Sequence, residues 1–169
     1  MDQKYPNSVK SLVFDTMIKL KDLLLEGKPP SIFVPRRMED RVERMIALYV
    51  RNGSKGNLSL KELNLTKLPE SLKDVNVTGN FQCSRNKLTT LENSPKSVGK
   101  DFYCYANNLI SLTGASEFVG NNFDCSSNYK LTSLEGAPKF VGGNFYCLRN
   151  SFTEEQIRAV CDIKGKVYV

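Results

Sequence analysis

The chain has 169 residues, of which 40% are apolar and 25% charged, with a formal net charge of +6; this suits one soluble domain, or one domain with a small cap. No apolar run approaches the ~18 residues a membrane span needs, and "MDQKYPNSVK" lacks the basic-then-apolar layout of a secretory leader. There is no histidine, which removes the commonest general base and the commonest transition-metal ligand and lowers the expectation of an enzyme.

A cytoplasmic location is expected, with reduced thiols, and the odd count of five cysteines argues against a closed disulfide framework. The basic excess is dispersed. Residues 1–56 hold 11 basic and 7 acidic residues and 57–152 hold 10 and 8, a mixed solvated surface rather than a dense nucleic-acid footprint.

In chain order, residues 7–27 are predicted to be helical. Val9, Leu12, Val13, Met17, Leu20 and Leu24 recur at three- and four-residue steps behind Ser8 as N-cap, and "GKPPS" stops the run. A second helix is expected from about Arg37 to Arg51, with Met38, Val42, Met45, Ile46 and Tyr49 on its inner face and "NGSKG" at its end. Together these form a predicted helical hairpin, residues 1–56, which must dock on the rest of the chain to bury its stripes.

Residues 57–152 are a repeat. Phe81, Phe102, Phe123 and Phe145 are spaced 21, 21 and 22 residues apart, and Cys83, Cys104, Cys125 and Cys147 keep the same steps. So do Asn86, Asn107, Asn128 and Asn150, followed by Leu88, Leu109, Leu131 and Phe152, and then Leu91, Leu112 and Leu134. Val98, Val119 and Val141 complete the phrase, and the longer step comes from "SNYKL" standing where another copy has "ANNL". An earlier copy, "NLSLKELNLTKLPESLKDV", aligns without gaps and carries Leu58, Leu60 and Leu63 in place of Phe, Cys and Asn. Leu60 at the cysteine position identifies that site as apolar packing.

The phrase F-x-C-x-x-N-x-L-x-x-L resembles the leucine-rich repeat, and "LTKLPESL" resembles its short-repeat bacterial class. The Phe/Cys form with "SLEGAPKFVGGNF" is similar to leucine-rich-like repeat proteins of tailed bacteriophages. The resemblance covers roughly 57–152 and implies an α+β repeat solenoid: a leucine-rich-repeat-like parallel β-sheet behind the N-terminal helical hairpin cap. It also implies an asparagine ladder inside the coils, which must be fully paired because a buried unpartnered amide costs ~1–3 kcal/mol. "ENSP", "TGAS" and "EGAP" are expected as return turns, with Gly120, Gly142 and Gly143 turning the chain back. Open solenoid ends need covering. Residues 153–169 are the expected C-terminal cap: a capping box at Thr153 and Gln156, then Ile157, Val160 and Cys161 over the last repeat, and "KVYV" as a final edge strand.

Chemistry-bearing motifs are scarce. Zinc sites draw close cysteine pairs around one ion, whereas these cysteines form a ladder with one sulfur per coil, about 4.8 Å apart. No metal and no cofactor are expected. What remains is the outward strand face, read as the columns Gln82, Tyr103, Asp124, Tyr146 and Ser84, Tyr105, Ser126, Leu148, flanked by Arg85 and Arg149. Tyrosine and arginine are enriched at binding hot spots, so Tyr103, Tyr105, Tyr146, Leu148, Arg85 and Arg149 are the candidate partner-binding residues. Phe14 with Arg36 and Arg37 forms a rival surface on the hairpin.

The expectation is a non-enzymatic protein–protein interaction protein. The phage resemblance implies one that binds and inhibits or modulates a host protein in the host cytosol, the ATP-dependent Lon protease among the possible partners. The alternative is a nucleic-acid-binding accessory protein using the +6 charge.

Overall fold

The structure, a computed structural model, describes residues 38–169, with side chains from Arg41 onward. The helix expected over 7–27 and the Phe14/Arg36/Arg37 surface lie outside the described residues.

Successive coils of a parallel β-solenoid begin at Asn57, Asn80, Asp101, Asn122 and Asn144, here coils 1 to 5, and Lys166 opens a further turn. One strand from each turn builds the first sheet, sheet A: β1 (Leu58–Ser59), β3 (Phe81–Gln82), β5 (Phe102–Tyr103), β7 (Phe123–Asp124), β9 (Phe145–Tyr146) and β11 (Val167–Tyr168). The return limb of each coil builds sheet B: β2 (Asn76–Val77), β4 (Ser97–Val98), β6 (Phe118–Val119), β8 (Phe140–Val141) and β10 (Asp162–Ile163). Every pairing is parallel and joins identical phrase positions: Phe81, Phe102, Phe123 and Phe145 lie in one register, Val77, Val98, Val119, Val141 and Ile163 in another. A repeat of sequence thus becomes a ladder in space.

Sheet B was not expected. The turns fall where predicted, but the valines after them enter a second ladder. A strand of two residues is too short to show a period in sequence.

The strands are short for a local reason. After the two inward residues, Phe and Cys or in coil 1 Leu58 and Leu60, the residue at one shared position of each coil takes the left-handed conformation: Glu62, Arg85, Ala106, Ser127 and Arg149, with φ between 54° and 61°. The backbone N–H groups of the first four donate to the next coil at 2.8–3.2 Å, which offsets a conformational cost of ~1–2 kcal/mol. This turn swings the next side chain inward, an asparagine in coils 2 to 5 and Leu63 in coil 1.

Each inward asparagine stitches coils together. Asn107 Nδ2 donates to the carbonyls of Cys83 and Cys104 at 3.1 and 3.0 Å, and its Oδ1 accepts from Asn86 N–H and Leu88 N–H at 3.2 and 3.1 Å. Asn86 and Asn128 do the same one coil on either side. The expected full pairing fails at Asn150, whose buried Oδ1 has no partner. The extra residue of "SNYKL" lies in the segment that would donate to it, and there Leu131 N–H bonds back to Asn128 O at 2.8 Å.

The core follows these ladders. Phe81, Phe102, Phe123 and Phe145 are fully buried, with neighbouring ring centroids 5.1, 5.3 and 5.0 Å apart and tilted or edge-on. Each such pair contributes ~0.5–1.5 kcal/mol beyond its burial. Cys83, Cys104, Cys125 and Cys147 are free and fully buried beside them. Burial raises the Cys83 and Cys104 thiols well above the usual cysteine range, so they pack as neutral hydrophobes. Gly120 and Gly142 were expected to supply turn flexibility, yet neither has positive φ. They are needed for close approach: a Cβ on Gly120 would collide with the carbonyl of Gly99, and one on Gly142 with that of Gly120.

At the N-terminal end, α1 (Met38–Arg51) buries Val42, Ile46 and Tyr49 in the same core, with Met45 partly covered. The Tyr49 hydroxyl donates to Ser54 O at 2.7 Å and lies 3.1 Å from Gly56 O, tying the helix end to the first coil. At the other end, α2 (Glu154–Arg158) carries the predicted capping box. Ile157 and Cys161 are buried, and β11 is the predicted edge strand. Val160, expected to cover the last repeat, is exposed instead, because the chain leaves the short helix there to form β10. No described helix is long and apolar enough to cross a membrane.

Candidate interaction surface

The first outward column of sheet A runs Ser59, Gln82, Tyr103, Asp124, Tyr146, Tyr168, in strand register. Tyr103, Asp124 and Tyr146 are half-buried and Tyr168 is exposed. The second column differs from its reading in sequence. Tyr105 is half-buried and Leu148 exposed, but Ser84 and Ser126 are buried. Ser126 Oγ accepts from Leu148 N–H of the next coil at 3.2 Å, while Ser84 Oγ has no hydrogen-bond partner.

The structure gathers Tyr103 and Tyr105 on coil 3 and Tyr146 and Leu148 on coil 5, with coil 4 between them. Tyr103 and Tyr105 meet edge-on with centroids 6.4 Å apart. Tyr146 stacks on Tyr168 at 4.7 Å with planes 3° apart, and its hydroxyl accepts from Asn144 Nδ2 at 3.2 Å. Arg85 and Arg149 occupy the left-handed corner instead of the strand face. Arg85 is held by Glu62 at 3.1 Å.

Asp101 and Tyr168 of this face were not read from sequence, and Asp124, read there as outward, was not counted among the candidates. Tyr168 was legible in principle, because "KVYV" aligns on "NFYC". Asp101 heads β5, and its Oδ1 accepts from Asn121 Nδ2, Asn122 N–H and Asn122 Nδ2 at 2.7, 3.1 and 2.9 Å. This belongs to a second side-chain ladder in which Asn57, Asn80, Asp101, Asn122 and Asn144 each accept from the backbone N–H one coil on. Asp124 Oδ1 accepts from Ser126 N–H at 2.9 Å. Neither aspartate joins an ion pair among the described residues. In coils 2 to 5 the three outward columns, from Asn80, Gln82 and Ser84 to Asn144, Tyr146 and Leu148, contain no lysine or arginine. Burial, then the neighbouring Asp101 and Asp124 carboxylates, push the Tyr103 hydroxyl up to about 12.

The outward column of sheet B is Asn76, Ser97, Phe118, Phe140, Asp162. Phe118 and Phe140 stack at 5.2 Å with planes 4° apart. Lys164 Nζ lies 5.6 Å from the Phe140 centroid and 2.9 Å from Asp162 Oδ2. Lys139 pairs with Glu117 at 2.6 Å.

Elsewhere, a groove of about 650 Å³ lies between α1 and coils 1 and 2, lined among others by Glu43, Leu63, Thr66, Pro69, Glu70 and Asn93. Among the described residues, no three His, Cys, Asp or Glu side chains converge as a cation site. In comparisons with known proteins the chain matches no family model, no curated protein and no solved structure.

Proposed function

We propose that the chain is a non-enzymatic protein–protein interaction module whose partner docks on the outer face of sheet A. The observation that carries this reading is the run of Tyr103, Tyr105, Tyr146, Leu148 and Tyr168 presented on backbone that is hydrogen-bonded coil to coil. Tyrosines held on a rigid scaffold lose little side-chain entropy on binding and supply large amphipathic contact area. The resemblance to leucine-rich-like phage repeats supports a host protein as partner, with the Lon protease the first to test. Binding then acts by stoichiometric occlusion or conformational locking, without turnover.

The test is a pull-down from bacterial lysate with mass spectrometry, repeated with Tyr103→Ala/Tyr146→Ala and with Phe118→Ala on the other sheet. The reading expects one stoichiometric protein partner, lost with the tyrosine pair and kept with Phe118→Ala; recovery of no protein partner sinks it. Inhibition of purified Lon at one-to-one stoichiometry, absent for the tyrosine variant, would name the partner. The nucleic-acid alternative rests on the +6 charge, and Asp101 and Asp124 oppose it on this face. It requires binding that weakens steeply with added salt.

A further inference from the structure

We propose that the slot between Tyr103 and Tyr146, floored by Asp124, seats a cationic side chain of the partner, an arginine or lysine presented on an extended or looped segment. The proposal rests on the interaction reading above and states which chemistry the face accepts.

The register places Asp124 directly between the two tyrosines, with Tyr103 one strand before it and Tyr146 one strand after. Strand spacing puts the backbones bearing the two rings roughly 9.6 Å apart, enough for one side chain to descend between them onto a short carboxylate. Asp124 Oδ1 is used by Ser126 N–H, and no hydrogen bond or ion pair among the described residues engages Oδ2. Asp101 adds a second negative charge one strand away, and within coils 2 to 5 the surrounding columns hold no basic residue to balance either; Lys61 and Lys166 stand in the flanking turns. On a chain of net charge +6, this stretch of sheet is locally negative and aromatic. Such a surface repels phosphate and attracts a cation through its carboxylate and ring faces together.

Sheet B supplies an internal control. Its outward column also brings aromatic rings and an aspartate into register, Phe118, Phe140 and Asp162. There the chain provides its own cation: Lys164 sits over the Phe140 ring and pairs with Asp162. The sheet A column, whose aspartate stands between two rings instead of after them, lacks that partner.

The test is an NMR titration of the full-length 15N-labelled chain at physiological salt with a nona-arginine peptide, and with a citrulline peptide of equal length. The expected result is a set of amide shifts centred on Tyr103, Tyr105, Asp124 and Tyr146 with arginine only. Asp124→Asn should weaken binding about ten-fold while leaving the urea midpoint unchanged, because its amide oxygen still accepts from Ser126 N–H. Shifts centred elsewhere, such as the groove beside Glu43 and Glu70, would overturn the proposal, as would Asp124→Asn binding equally well. An oligonucleotide moving the same amides would also overturn it, in favour of a nucleic-acid face. A protein partner lost with Tyr103→Ala/Tyr146→Ala but indifferent to Asp124→Asn removes the cation seat and leaves the interaction module standing; loss of that tyrosine dependence removes the module itself.

Discussion

Sheets A and B share a scaffold and differ in what they leave open. Both are parallel ladders one coil apart, and both point one apolar residue per strand into a common core. Sheet A packs phenylalanines and is backed by the asparagine ladder; sheet B packs valines and one isoleucine. Outside, sheet B closes its own chemistry through Lys164 and the Lys139–Glu117 pair, whereas sheet A leaves Asp124 between tyrosines without a counter-charge. The lesson is that an aromatic column is not by itself a binding signal. The informative difference lies in whether the neighbouring charges are already satisfied within the chain.

The comparison can be pressed hardest in the core. Phe123→Ala beneath sheet A should cost ~3–5 kcal/mol in urea unfolding, and Val119→Ala beneath sheet B clearly less, because fewer buried atoms and a smaller cavity are involved. Equal losses would mean that the two ladders carry the fold alike. Next, Asn128→Ala should cost ~2–4 kcal/mol, since three hydrogen bonds to coil 3 and one within coil 4 vanish and buried backbone groups lose partners. Asn150→Ala should cost about half as much, because its Oδ1 accepts nothing. Calorimetric melting of the pair would show whether the inserted residue of "SNYKL" weakens the ladder where it falls.

A smaller effect is expected from pH. The Tyr103 hydroxyl titrates at about 12 in the fold, raised from 10 by burial and then by Asp101 and Asp124. Folding therefore favours its protonated form. That contribution is fully present below pH 10 and is lost as pH rises toward 12. Stability of the wild type should fall more steeply over that interval than that of Tyr103→Phe, and parallel curves would show that the hydroxyl is not held by the face. Smallest of all, Lys164→Gln should change stability by ~0.5 kcal/mol or less, because its ion pair is exposed and screened. Its consequence is chemical: with the cation gone, sheet B should begin to take up the nona-arginine peptide, and no gain of binding would break the parallel between the faces.

Much of this was written in the residues themselves. The register of sheet A, the burial of the cysteines, the direction of the asparagines, the capping box at Thr153 and the edge strand at "KVYV" all derive from identities recurring at a fixed step. Four of the six candidate surface residues lie on one face, Tyr103, Tyr105, Tyr146 and Leu148. Arg85 and Arg149 do not, because a left-handed turn intervenes between strand and asparagine, and nothing about an arginine announces φ near +60°. Ser84 and Ser126 share the position of Tyr105 and Leu148 in their coils, but as small residues they stay buried where the larger side chains emerge. Simple alternation assumes a strand that continues, and these strands stop after two residues.

The sequence by itself determined that the chain is a solenoid and which residues stack, because a side chain repeated at constant spacing can satisfy itself only against its own copies. Only the tertiary structure decided that the return limb forms a second sheet, and that Asp124, already legible between two tyrosines in its column, has no counter-charge while Asp162 has Lys164. Charge satisfaction depends on which side chains actually meet, two residues apart for Asp162 and Lys164 or 22 apart for Glu117 and Lys139, and spacing alone does not say which pairs form.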